Sequence, residues 1–134
     1  MNKLRILVAD DHEGFRRSLS AFLQTQAGVE IVGEARDGVE AVNQTARLHP
    51  DLVLMDLQMP NRDGYTATKE IKKNLPETKV VILSMYGDDM YRRQAWQFAA
   101  DGFIDKSAMK NALKLFLNTE LTRREIVPVQ SPGV

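Results

Sequence analysis

The 134-residue sequence predicts a single α/β domain, a parallel sheet covered by helices on both faces. Short apolar runs alternate five times with segments of helical periodicity. The runs are continuous rather than polar on every second residue, as strands buried on both faces require. Gly, Pro and Asp-Gly signals separate the segments. Leu4 to Ala9 is the first strand, ending in Asp10-Asp11. Phe15, Leu19, Phe22 and Leu23 recur at helical spacing within Glu13 to Ala27, and Gly28 is the expected stop. Val29 to Ala35 is the second strand, closed by Asp37-Gly38; Val39, Val42 and Ala46 mark a helix that ends before Pro50. Leu52 to Met55 is the third apolar run, ending in Asp56. Tyr65, Thr68, Ile71 and Leu75 follow as a helix stopped by Pro76. Lys79 to Ser84 is the fourth strand and Asp88 to Ala100 the fourth helix. Gly102 to Asp105 is a short fifth strand before Lys106, and Met109, Ala112, Leu113, Phe116 and Leu117 form the last amphipathic stripe. Leu121 to Val134 holds Pro128, Pro132 and Gly133 without apolar periodicity, which sets a domain at 1–120 and a linker or frayed tail at 121–134.

Composition narrows the function. Eighteen Lys and Arg offset eighteen Asp and Glu, so the chain lacks the basic excess of a nucleic-acid module, and direct nucleic-acid binding is not expected. Without cysteine there is no disulfide, thiolate metal site or cysteine nucleophile. No run approaches the about 18 apolar residues of a membrane span, and no signal-peptide pattern opens the chain. A soluble, cytoplasmic protein is the expectation.

In an open parallel sheet, ligands bind beyond the carboxyl ends of the strands, where strand order reverses. Those ends carry Asp10, Asp11, Asp56, Ser84 and Lys106. Two unit charges about 4 Å apart repel by about 4 kcal/mol at an effective dielectric near 20. Three converging carboxylates therefore need a proton or a cation among them. Lys106 supplies one charge; a hard divalent cation such as Mg²⁺ would supply more. Carboxylates, a cation, an ammonium and a hydroxyl are equipment for a phosphoryl group. No Walker or Gly-x-Gly-x-x-Gly loop offers a nucleotide site, so the simplest acceptor is a carboxylate, with Asp56 forming an acyl phosphate. The bland readings are that Asp10 and Asp11 cap a helix, Ser84 merely ends a strand, Lys106 is a surface lysine and Phe103 is core. Asp63-Gly64 reads as structural, and His12 and His49 receive no role. Met90, Tyr91 and Trp96 stay open between core and partner contact.

Asp10-Asp11, Met55 through Pro60 with Asp63-Gly64, Leu83-Ser84-Met85, and Gly102 through Lys106 together resemble the receiver domain of bacterial two-component response regulators. The resemblance covers residues 4–120 and implies a flavodoxin-like sheet of order 2-1-3-4-5, an order for which receivers are a standing example. By this resemblance Asp56 accepts phosphate from a sensor histidine kinase. Asp11, Asp56 and the Gln58 backbone carbonyl ligate Mg²⁺, with Asp10 acting through water. Lys106 pairs with the phosphoryl group, Ser84 hydrogen-bonds to it, and Phe103 is the switching aromatic. A phosphoryl group carries about −1.5 to −2 charges, enough to draw Ser84 inward and reshape the face of helix four, strand five and helix five, with homodimerisation as one outcome. Such a domain is not an enzyme on external substrates; it catalyses only its own phosphorylation and dephosphorylation.

Ser107 stands where many receivers carry Pro, Phe98-Ala99-Ala100 replaces the commoner Ala-Gly-Ala, and Gln58 and Tyr86 fill the variable positions beside the site. Asp10-Asp11-His12 with Phe15-Arg16, Ser84-Met85-Tyr86 and Asp88-Asp89 are most similar to the NarL/LuxR class, whose receivers control a C-terminal DNA-binding domain. The alternative is a stand-alone receiver acting by protein contact or phosphorelay. A third reading, an aspartate-nucleophile phosphatase, fits less well, because those place the nucleophile in an Asp-x-Asp after the first strand.

Overall fold

The five apolar runs become one parallel sheet in the computed structural model: β1 (Leu4–Ala9), β2 (Val29–Ala35), β3 (Leu52–Asp56), β4 (Lys79–Ser84) and β5 (Gly102–Asp105), ordered β2-β1-β3-β4-β5. The helices are α1 (Glu13–Gln24), α2 (Gly38–Leu48), α3 (Gly64–Asn74), α4 (Asp89–Gln97) and α5 (Met109–Gln130), with a 3-10 turn, Lys106–Ala108, before α5. The structure describes residues 3–85 and 89–130, with backbone alone for Asp89 and 124–130. Tyr86, Asp88 and the end of the tail, singled out above, lie outside the described residues.

Alternation along each strand sorts the apolar side chains into two cores. Leu4, Ile6 and Val8 of β1 join Leu19 and Leu23 of α1 and Leu113 and Leu117 of α5 on one face. Leu7 and Ala9 join Ala41 of α2, Ala67 and Ile71 of α3, and Ala95 of α4 on the other. Both faces are covered, which explains why the central strands read as unbroken apolar runs. The sheet has the flavodoxin-like order the resemblance implies. The chain leaves β1 for β2 on one side and returns to β3 on the other, so the crevice opens beyond the ends of β1 and β3.

Register carries one irregularity that matters later. Ile6 pairs with Ile31 but Leu7 pairs with Gly33, so Val32 is an inserted residue in β2. The insertion reverses the parity of the strand. Glu34, opposite Val8, then lies on the α1 side, and Ala35 joins the opposite core.

Two glycines are required by close approach. A Cβ on Gly38 would lie 1.9 Å from the Arg62 carbonyl oxygen, and one on Gly64 would lie 2.3 Å from that of Asp56. The loop after β3 is thereby pressed against the start of α2 and folded back on itself. Asp37 and Asp63 cap α2 and α3, accepting from the backbone N–H groups of Glu40 and Thr66. Asp63-Gly64 is thus structural, as expected.

Several helix ends differ from the sequence reading. α1 stops at Gln24 rather than Ala27, because Thr25 Oγ1 turns back to the Phe22 carbonyl, and Gly28 takes the left-handed conformation. α5 continues to Gln130, past the boundary expected at residue 120, and Leu121 packs against the α1–α5 core beside Gly28. Leu121 lies one turn beyond Leu117 and extends the apolar stripe on the same face. Trp96 and Met90 are exposed, whereas Tyr91 is half-buried against the α2–α4 core. His49 ends α2 in a left-handed conformation, and His12 precedes α1 as its N-cap residue.

The end of α4 is a Schellman turn. Ala100 N–H donates to the Ala95 carbonyl and Ala99 N–H to that of Trp96, which forces Ala99 to φ 68°. The left-handed region costs a residue with a Cβ about 1 kcal/mol. Ala99→Gly should therefore raise unfolding free energy by about 1 kcal/mol in urea titration, without changing the slope. An unchanged or lowered midpoint would show that no strain resides there.

Candidate functional site

The carboxyl ends of β1 and β3 bring Asp10, Asp11 and Asp56 together. One carboxylate oxygen from each, with a ring nitrogen of His12, lie within 4.8 Å of one another. Asp10 and Asp56 are buried at 1% and 5% exposure, while Asp11 is open to solvent. All three are hard oxygen donors, the chemistry a small divalent cation selects. Asp11 and Gln58 also line a groove of about 610 Å³, together with Met59, Pro60, Tyr65 and Tyr91. The residues present therefore fit Mg²⁺.

Lys106 reaches this cluster from the end of β5. Its ammonium lies 2.9 Å from Asp10 Oδ2 and 2.8 Å from Asp56 Oδ1. Burial alone would lower its pKa, but hydrogen bonds to the two carboxylates outweigh that and hold the ammonium above 10.5. Asp105 fixes the geometry by accepting from Ser107 N–H at 2.9 Å, which starts the 3-10 turn. Ser107 thus supplies a donor that Pro could not. The ammonium also stands 4.1 Å from the centroid of the Phe15 ring, a cation–π contact.

Ser84 ends β4, buried, one residue beyond Leu83, which pairs with Asp56 across the ladder. Phe103 is not in the carboxylate cluster. It is half-buried on the opposite face of β5 from Ile104, against the α2–α4 core, with the Arg92 guanidinium 4.9 Å from its ring centroid. Tyr65 ties α3 to α4 nearby, donating to the Tyr91 carbonyl at 2.6 Å and stacking on Phe98 at 5.4 Å.

Three residues at the site are not evident as such from the sequence. His12 Nδ1 sits 3.1 Å from Asp11 Oδ1. Phe15 faces Lys106, and Arg16 donates to the Asp10 backbone carbonyl at 2.8 Å. In the sequence Phe15 reads as part of a helix's apolar stripe, and Arg16 only as part of a subfamily pattern. Their positions two turns or less from the acidic pair are the available signal.

Burial, as the largest cause, pushes the Asp56 carboxyl above its ordinary 3.8; the Lys106 hydrogen bond opposes this and repulsion from Asp10 and Asp11 adds to it. A raised native pKa means the folded protein holds a proton that the unfolded chain releases. Stability is then lost as pH rises from the unfolded value through the native one. In metal-free buffer at neutral pH, Asp56→Asn should melt several degrees higher than wild type. That advantage should vanish below pH 3.8, where both side chains are neutral. A variant that melts lower at neutral pH would show that the Lys106 contact outweighs the desolvation.

Comparison with known proteins bears on the same residues. The sequence profile of the response regulator receiver domain matches residues 6–118. The response regulator protein VraR of Staphylococcus saprophyticus is 40% identical over 104 residues, which span 78% of this chain and 50% of that protein. VraR of Staphylococcus aureus is 41% identical over the same share of each. The chain thus spans about half the length of these curated relatives. Among solved structures, the signal receiver domain of a NarL response regulator from Mycobacterium tuberculosis superposes with a TM-score of 0.82 at 31% identity, covering 89% of this chain and 97% of that one. The response regulator domain of Thermotoga maritima CheB gives 0.81 at 30% identity, covering 88% and 96%. On the extent of the profile and the identity to these relatives, the chain belongs to the receiver domains of two-component response regulators.

Proposed function

We propose that Asp56 is the phosphoacceptor of this receiver, taking its phosphoryl group from a phosphohistidine on a sensor histidine kinase. The observation that carries this reading is the placement of Asp56, buried at a strand end beside Asp10 and Asp11 and held 2.8 Å from an ammonium. An Asp56 carboxylate oxygen forms the new O–P bond as the N–P bond of phosphohistidine breaks, and the imidazole leaves with a proton. Lys106 already touches the reacting carboxylate and neutralises charge on the incoming phosphoryl oxygens. Ser84, next along the sheet edge, supplies a hydroxyl for one of those oxygens. Asp11, Asp56 and the Gln58 carbonyl would hold Mg²⁺, with Asp10 acting through water. Bound there, the cation shields phosphate from carboxylate and polarises the phosphoryl group.

The acyl phosphate is then read at the face of α4, β5 and α5, where Ser84 moves toward the phosphate and Phe103 turns into the space behind it. This is a shift between two packings, with homodimer formation as one readout. The half-length match to the VraR proteins supports reading the domain as the input half of a transcription regulator, whose output segment binds DNA. A cytoplasmic site of action follows from that role. Among the described residues no helix is long and apolar enough to cross a membrane. The only catalysis proposed is on the domain's own phosphate.

Acetyl phosphate with Mg²⁺ should add one phosphoryl group by intact mass, and Asp56→Ala should abolish it. Equal labelling of both proteins would refute the assignment, and steady turnover of a generic phosphate ester would favour a phosphatase. Phosphorylated wild type should also elute earlier than the unmodified protein on size exclusion, whereas identical elution and identical partner titrations would remove the switch from this reading.

A further inference from the structure

We infer that Arg16, held by Glu34, is a positioning residue for the metal-binding turn, setting the affinity of Asp10 and Asp11 for a divalent cation without touching it. The inference rests on the proposed Mg²⁺ site. Its geometric basis is that every polar group of Asp10 is committed. The Asp10 N–H donates to the Ala35 carbonyl at 3.0 Å, and its carbonyl accepts from Arg16 at 2.8 Å. Its Oδ1 accepts from His12 N–H at 2.7 Å, and its Oδ2 from Lys106 at 2.9 Å. Of these four bonds, only the one from Arg16 fixes the peptide plane that joins Asp10 to Asp11. Asp11 has the more open carboxylate, so its aim depends on that plane.

Arg16 can hold it because its own side chain is anchored. The residue is 9% exposed, and its Nε donates to Glu34 Oε1 at 2.6 Å. Glu34 is available only because the inserted Val32 turns it toward α1. Glu34 also precedes Ala35, whose carbonyl takes the Asp10 N–H. The edge strand therefore grips Asp10 twice, once directly and once through the guanidinium. A planar fork that donates in two directions suits this bridge, and an ammonium on a flexible stem does not. Groups that orient ligands in this way change metal affinity by about 10- to 100-fold when removed.

A salt bridge that merely joins α1 to β2 would leave metal affinity alone, which makes the two roles separable. Mg²⁺ affinity is measured by calorimetry, with Mn²⁺ electron paramagnetic resonance as a second reporter, on wild type, Arg16→Ala, Arg16→Lys and Glu34→Gln. Wild type should bind, Arg16→Ala should bind about tenfold more weakly, and Arg16→Lys and Glu34→Gln should fall between them. Acetyl phosphate labelling of Asp56 should need more Mg²⁺ in the variants, yet recover to within about twofold of the wild-type rate at saturation. Should Arg16→Ala fail to fold by circular dichroism, the other two variants carry the same comparison. Variants that bind Mg²⁺ as wild type does, or whose labelling stays slow at saturation, would overturn the positioning role alone. A wild-type protein that binds no divalent cation would overturn the proposed site, and this inference with it.

Discussion

One ammonium between two carboxylates holds the site in its working form. Burial at the end of β3 works against a charge on Asp56, and Asp10 repels it from β1. Lys106 opposes both effects and is itself kept charged by doing so. Removing the lysine would leave two buried carboxylates uncompensated, which costs more than the intact arrangement. The lysine reaches them from the last strand of the sheet, so the cluster closes only when β5 is docked on β4. A contact between residues 10 and 106 thus makes the chemistry a property of the whole fold.

The loops around this contact are shaped by close packing rather than by charge. Gly64 lets the loop after β3 fold back until its backbone lies on Asp56, and Gly38 lets the same loop press against α2. Asn61 completes the seam, donating to Asp37 at 2.8 Å from a left-handed backbone at φ 68°. Short polar side chains tolerate that conformation better than most. Larger side chains at the two glycines would displace the backbone of Asp56, Leu57 and Arg62, and with it the loop that leads from β3.

Much of this is legible in the sequence. Strands buried on both faces announce themselves as unbroken apolar runs, and a parallel sheet fixes which of their ends can carry chemistry. Asp10, Asp11, Asp56, Ser84 and Lys106 stand out on that ground, and all five lie at those ends in the structure. What the sequence hides depends on register and side-chain reach. Arg16 is buried only because one extra residue in β2 rotates Glu34 toward it, and no periodicity in Val29–Ala35 marks Val32 as the insertion. The left-handed Ala99 is likewise set by the Schellman bonds that end α4, where composition alone suggests three more helical residues. α5 reads short for the opposite reason, since Pro128 and Pro132 argue for a tail while Leu121 still has a core to join.

Charge balance explains why the proposed modification should be felt beyond the site. The cluster holds three carboxylates and one ammonium, while the Arg16 guanidinium is offset by Glu34, so two formal negative charges are in excess. A divalent cation would cancel them. Converting Asp56 to an acyl phosphate exchanges its single charge for about two, which reopens an excess of about one. In a partly buried site that excess is penalised more than in water, so it favours any arrangement that brings donors closer. Lys106 is already in place, and the Ser84 hydroxyl at the end of the neighbouring strand is the further donor. Its movement would be felt on the face of β4 and β5 that it shares with Phe103, where that ring lies under Arg92 of α4. If Asp56 is phosphorylated as proposed, a local change of one charge would be passed through these packed side chains toward α4, the helix that exposes Trp96.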